Sequence, residues 1–195
     1  MKIPLPEIVT PYLNIRRAMD TGDVIQCSGQ GFVSGLIKWR TGCDMSHIGT
    51  LVIMDRTVFL WHSTSLAKGK SGPQLVEFRQ WLQQYKGKVY WRRLCFDRTP
   101  SFRLEYLKTI DEFKEKVYER DLIELLGAAS ALIKNKKDLT DIFCSEQKAE
   151  IDQRTFVIDD KLPSNEYSPK DYMPFEKIEK HLINGARYEK LVRLK

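Results

Sequence analysis

Cys144, in Phe143-Cys144-Ser145-Glu146, and His47, in Ser46-His47-Ile48-Gly49-Thr50, are the side chains whose types best suit covalent chemistry. The cysteine stands where a polar loop meets a run that reads as a helix, and the histidine opens a run that reads as a strand. A cysteine at a helix start feels the positive end of the helix dipole, and its thiolate is stabilised further if a histidine reaches it. An ordinary thiol, with a pKa of about 8.5, is mostly protonated at neutral pH, so a nucleophilic cysteine needs a base beside it. His47 would serve as that base and then as the acid toward the leaving group. The tetrahedral oxyanion needs donors, and the backbone N–H groups of Cys144 and Ser145 are the expected ones. Collapse leaves an acyl thioester that water or another acceptor resolves. A third polar group should hold the far nitrogen of the imidazole; His62, on the strand after His47, is the candidate, and Glu146, directed along the helix, is a poorer one.

The elements around these residues follow from periodicity and turn chemistry. A helical pattern over about Pro6–Met19 ends in Asp20-Thr21-Gly22-Asp23, a turn with glycine available for positive φ. Val24–Cys27 reads as a short strand, and Phe32, Val33, Leu36, Ile37 and Trp39 fall on one face of a short helix. Two β-rich runs, His47–Met54 and Thr57–Ser63, joined by Asp55-Arg56, make a hairpin. If it pairs in register, the rings of His47 and His62 share a face. Gly69–Pro73 reads as loop, Leu75–Phe78 and Lys88–Leu94 as strands, and Arg79–Tyr85 as one or two helical turns. Helices are expected over Ser101–Glu119, Asp121–Ile133 and Ser145–Phe156, then an irregular wrap over Asp159–Pro174, a short helix near Phe175–His181 and a last strand at Lys190–Leu194. Strands and helices are mixed, with no repeat and no linker, so the expectation is one α+β domain over residues 1–195, a small antiparallel sheet packed with helices.

Composition bounds the reading. With 195 residues, 42% hydrophobic and 30% charged, the chain can bury a core and has the make-up of a soluble globular protein. It shows no stretch of signal-peptide character and no run approaching the roughly 20 apolar residues of a membrane span, which places it in the cytoplasm. Cys27, Cys43, Cys95 and Cys144 are irregularly spaced and read as free thiols in a reducing compartment. The net charge of +6 comes from 32 basic against 26 acidic side chains, densest at Trp91-Arg92-Arg93 and Lys134-Asn135-Lys136-Lys137. Such clusters are ordinarily solvated surface; their functional alternative is an anionic partner, whether nucleic acid, phospholipid headgroups or an acidic peptide.

Each candidate also has a bland reading. A cysteine at a helix start is commonly a small buried residue, and a histidine on a strand is commonly structural. His181, among Lys177, Glu179 and Lys180, reads as surface; Cys27, Cys43 and Cys95 read as structural thiols; the four tryptophans read as core or cleft wall; Asp23 reads as a turn cap. Gly29-Gln30-Gly31 lacks the Lys-Ser/Thr ending of a phosphate loop and reads as a turn. Cys43, His47, His62 and Cys144 could converge on zinc, but no paired C-x-x-C or H-x-x-x-H occurs, so neither metal nor cofactor is expected.

Gly22-Asp23-Val24-Ile25, Gly35–Gly42, Ser46-His47-Ile48-Gly49, Tyr118–Leu122, Phe143-Cys144-Ser145-Glu146 and Tyr167–Asp171, in that order, together resemble the circularly permuted NlpC-type papain-like cysteine hydrolases, especially the YiiX-like branch. In that family histidine precedes cysteine in the chain. The resemblance implies a permuted papain-like fold, Cys144 as nucleophile, His47 as base, and peptides, amidated amino acids, other small molecules or lipid acyl groups as substrates. At the position of His62, many YiiX-like members carry an acidic residue, whereas the related lecithin retinol acyltransferase group uses histidine; a neutral imidazole polarises its partner less than a carboxylate does. The branch and the choice between hydrolysis and transfer stay open. A phage or virion setting is compatible with the family. Two rivals come from other classes: a basic module binding nucleic acid or an anionic membrane surface, and a papain-like scaffold that has lost turnover and serves as an interaction protein.

Overall fold

The computed structural model describes residues 4–64, 72–127 and 139–195, and Lys134–Lys137 lie outside them. Six strands form one sheet: β1 Val24–Gly29, β2 His47–Met54, β3 Thr57–Thr64, β4 Gly72–Glu77, β5 Gly87–Cys95 and β6 Arg187–Arg193. Their order is β4-β3-β2-β1-β5-β6, every neighbouring pair antiparallel. The helices are α1 Tyr12–Ile15, α2 Phe32–Thr41, α3 Phe78–Gln84, α4 Pro100–Gly127 and α5 Leu139–Arg154. The architecture is α+β, as the mixed element order implies.

Alternation along the strands divides the core. Val24, Ile48, Val52 and Trp61 meet Phe102, Tyr106 and Ile110 of α4 and Cys144, Ala149 and Ile151 of α5. The residues between them, Ile25, Cys27, Leu51, Leu60 and Val89, pack with Phe78 and Leu82 of α3. Period two with both faces buried is the pattern of a sheet sandwiched between helices.

Several elements differ from expectation for identifiable reasons. The N-terminal helical pattern yields only α1 and a 3₁₀ turn over Arg16–Ala18, because Pro11 stands at its N-cap and Val9 bridges to Arg193 of β6. The β2–β3 hairpin forms as read, its turn made by Asp55 and Arg56 at φ 48° and 62°, the left-handed pair of a two-residue turn. Gly72 and Pro73, read as loop, belong to edge strand β4, where a proline costs no ladder bond on its solvent side. The break expected at Arg120 is absent: α4 runs unbroken for 28 residues to Gly127, since nothing between Ser101 and Leu126 is glycine or proline. The helix bearing the cysteine is already formed at Leu139, where the described residues resume, so Cys144 and Ser145 lie inside it instead of at its start, and the short helix near the C-terminus is a 3₁₀ turn at Lys177–Lys180.

Asp23 holds the sheet to the lead-in of α4. Its carboxylate accepts from Trp91 Nε1 at 2.8 Å, Leu94 N at 3.0 Å, Asp20 N at 3.0 Å and Arg98 Nη2 at 2.7 Å. Its place in the Gly-Asp turn, read only as a cap, is that of a fully buried hub. Arg92, read as part of a surface cluster, is likewise interior: it donates to Glu189 O, Tyr172 O and the Glu179 carboxylate.

Candidate active site

His47 and His62 are brought together by strand register. Gly49 of β2 lies opposite His62 of β3, so His47, two residues earlier, points to the same side of the sheet as His62. Their rings meet with His47 Nε2 and His62 Nδ1 3.2 Å apart, and the His62 ring stands edge-on to Trp81 of α3 at 5.5 Å. Gly49 is what admits this pairing: a Cβ there would lie 2.8 Å from Leu60 Cδ1, 2.9 Å from Trp61 O and 3.0 Å from His62 Cβ.

The pair is electrically neutral by placement. Burial pushes His47 down to about 4, and burial followed by the neighbouring His47 pushes His62 down to about 3. An imidazolium here would be poorly solvated, so both rings stay in base form at neutral pH. His62 is buried, and its Nε2 has no hydrogen-bond partner among the described residues.

Cys144 is buried on the second turn of α5. Only the first few N–H groups of a helix are free, so with α5 starting at Leu139 the N–H groups of Cys144 and Ser145 fall within the helical ladder. Local contacts locate this turn against β1. Gln26 Nε2 donates to Pro169 O at 3.1 Å, and Ser145 Oγ donates to Tyr167 O at 2.6 Å, so the Tyr167–Pro169 strap links β1 to the residue after Cys144. Cys27, the β1 residue directly opposite His47, is close enough to Cys144 to feel its charge; burial first and that neighbour second push the Cys27 thiol up. Cys144 packs in the cluster on the α4–α5 face, whereas alternation sets Cys27, His47 and His62 on the α3 face.

Several residues near the site were not singled out by sequence. Gln147 is buried one turn beyond Cys144, and neither its Nε2 nor its Oε1 has a partner among the described residues; nothing in its sequence position marks it. Tyr85 bonds the Cys27 thiol and stacks on Trp81. His181, read as surface, is instead half-buried, its Nδ1 2.8 Å from Asp159 Oδ1 and its ring against Tyr167. Trp61 and Trp91 are core and Trp81 is half-buried as expected, but Trp39 is 81% exposed. No group of three or more histidine, cysteine or acidic side chains arranged to hold a metal occurs among the described residues. No helix among them is long and apolar enough to cross a membrane.

No protein-family model matches the chain, and no curated protein matches it. Among solved structures, it is similar to one described as the crystal structure of metalloprotein yiiX from Escherichia coli O157:H7, at 18% identity and a TM-score of 0.48, over 72% of this chain and 69% of that one.

Proposed function

We propose that the chain is a thiol-dependent hydrolase or acyltransferase acting on an amide or ester of a peptide, small molecule or lipid acyl group, with Cys144 as nucleophile, His47 as general base and His62 as the group that orients it. The observation that carries this reading is the 3.2 Å contact between His47 Nε2 and His62 Nδ1 in a neutral pair, His62 buried and His47 half-buried.

The contact has two tautomers with different consequences. With the proton on His47 Nε2, His62 Nδ1 accepts it and His47 Nδ1 is left as a bare acceptor, the state a general base requires. His62 then carries its own proton on Nε2, which is buried and has no partner among the described residues. With the proton on His62 Nδ1, His47 Nδ1 becomes a donor and cannot take the thiol proton. In the productive tautomer, transfer from Cys144 to His47 Nδ1 creates an imidazolium whose Nε2–H already has an acceptor, and the thiolate attacks the carbonyl. His47 returns the proton to the leaving amine or alcohol, leaving the acyl thioester, and a second attack by water or an acceptor releases Cys144.

Stabilising the oxyanion with the N–H groups of Cys144 and Ser145 requires the first turn of α5 to open, because those groups belong to the ladder. The amide of Gln147, buried and without a partner among the described residues, is a side-chain donor on the same helix that needs no such opening.

The test is alkylation of each cysteine by iodoacetamide between pH 5 and 9, read by peptide mass spectrometry. Cys144 in the native protein should react at least about tenfold faster than free cysteine, and His47→Ala should remove that advantage. A Cys144 rate no greater than that of free cysteine, unchanged by His47→Ala, overturns the proposal in favour of a silent scaffold.

A further inference from the structure

Beyond the sheet end that carries His47, α2 presents two large aromatic side chains to solvent. Phe32 and Trp39 are each 81% exposed, and their separation of seven residues places them on one side of the helix, roughly 10 Å apart along its axis. Gly31, Gly35 and Gly42, each with open space where a Cβ would go, flank them and leave the rings standing proud of the backbone. The helix is fixed to the body from below: Lys38 Nζ donates to Gly29 O at 2.6 Å, and Ser34 Oγ closes over Gly29.

The same end of the sheet is basic. Gly29 lies opposite Gly87, and the residues flanking Gly87, Lys86 and Lys88, are exposed and in no ion pair among the described residues. Between Val24 and Met54 the chain carries Lys38 and Arg40 against a single acid, Asp44, and the whole chain carries +6. Exposed aromatic rings at the same end of the sheet as lysines that make no ion pair among the described residues match the two layers of an anionic bilayer surface, acyl chains below and phosphates above. A nucleic-acid groove would instead thread cations between stacking rings, and the one described lysine between Phe32 and Trp39 has its ammonium on a backbone carbonyl.

We propose that α2 is a membrane-docking element: Phe32 and Trp39 enter the headgroup region of an anionic bilayer while Lys86 and Lys88 contact its phosphates. The surface adjoins the strand end from which His47 projects, so docking sets that end against the lipid. The inference does not rest on the thiol chemistry, and its failure would leave that chemistry untouched.

The experiment uses the full chain and extruded vesicles of phosphatidylcholine, with or without about one third phosphatidylserine. Trp39 is the natural reporter, since Trp61 and Trp91 are buried and Trp81 is half-buried. Wild type should co-sediment with the anionic vesicles, its fluorescence should shift to the blue, and its acrylamide quenching should fall; raising salt should weaken binding steeply. Phe32→Ser/Trp39→Ser and Lys86→Glu/Lys88→Glu should each weaken binding about tenfold or more with unchanged circular dichroism and melting temperature, and Trp39→Phe should keep most of it. Binding indifferent to the aromatic pair, no preference for the anionic vesicles, a blue shift caused by concentration-dependent self-association without lipid, or tighter binding to single-stranded DNA than to vesicles would each overturn the proposal.

Discussion

At the scale of the residue, the site is governed by two imidazoles that the fold keeps uncharged. Their ordinary value is about 6.5, and both sit far below it in the folded protein, at about 4 for His47 and about 3 for His62. The unfolded chain therefore binds protons that the native state refuses. Their contribution to stability is intact above pH 6.5 and is lost progressively as pH falls from there, through about 4 for His47 and about 3 for His62. Urea midpoints should thus drop across that window, and His62→Phe should flatten the drop; a curve of unchanged slope in that variant would show that His62 is not among the groups responsible. Gly49 makes the second residue-scale test. Gly49→Ala forces a Cβ against Trp61 O and His62 Cβ, so it should cost about 1–3 kcal/mol by denaturant unfolding and disturb the imidazole contact. Melting behaviour identical to wild type would mean that β3 has slack not evident at that crossing.

At the scale of the element, α5 bears the weight of the account. Four residues after Cys144, the buried Lys148 ammonium pairs with Asp152, whose second oxygen accepts from Tyr172 OH at 2.9 Å and Tyr188 OH at 3.2 Å. Removing one partner strands a buried charge, so Asp152→Asn should destabilise by about 3–5 kcal/mol. Lys148→Met combined with Asp152→Leu, which removes both charges, should cost clearly less in a thermal or urea melt. Equal costs would mean that the pair acts through packing alone. Sequence made the Cys144 segment visible but placed the start of its helix too late. The reading gave more weight to the Cys144–Glu146 motif than to the helical continuity of Leu139–Phe143 before it. The β2–β3 hairpin was legible because a two-residue connection fixes register and hence the shared side of His47 and His62. Gln147 was not legible, since only packing reveals that its amide is buried without a partner among the described residues.

At the scale of the whole molecule, long-range ties decide where the site can form. Asp23 joins the first turn, β5 and the approach to α4 through Arg98, and the Tyr167–Pro169 strap joins β1 to α5. Asp23→Asn should remove the closer of the two carboxylates paired with Arg98, leaving Asp20 at 3.6 Å, and lower stability by about 1–3 kcal/mol in urea titration; no measurable loss would demote the hub to an ordinary turn cap. These ties were the least legible part of the chain: Asp23 and Arg92 are polar residues in polar-looking segments, and only the closed fold turns them inward. The proposed chemistry requires Cys144 to come within reach of the His47 ring. Its most direct measurement is intact-mass analysis after brief incubation with an activated acyl ester. The account predicts a single acyl adduct on Cys144 in the wild type that decays with time and is absent in Cys144→Ala and His47→Ala. No adduct on Cys144, or one that forms as readily without His47, would contradict it.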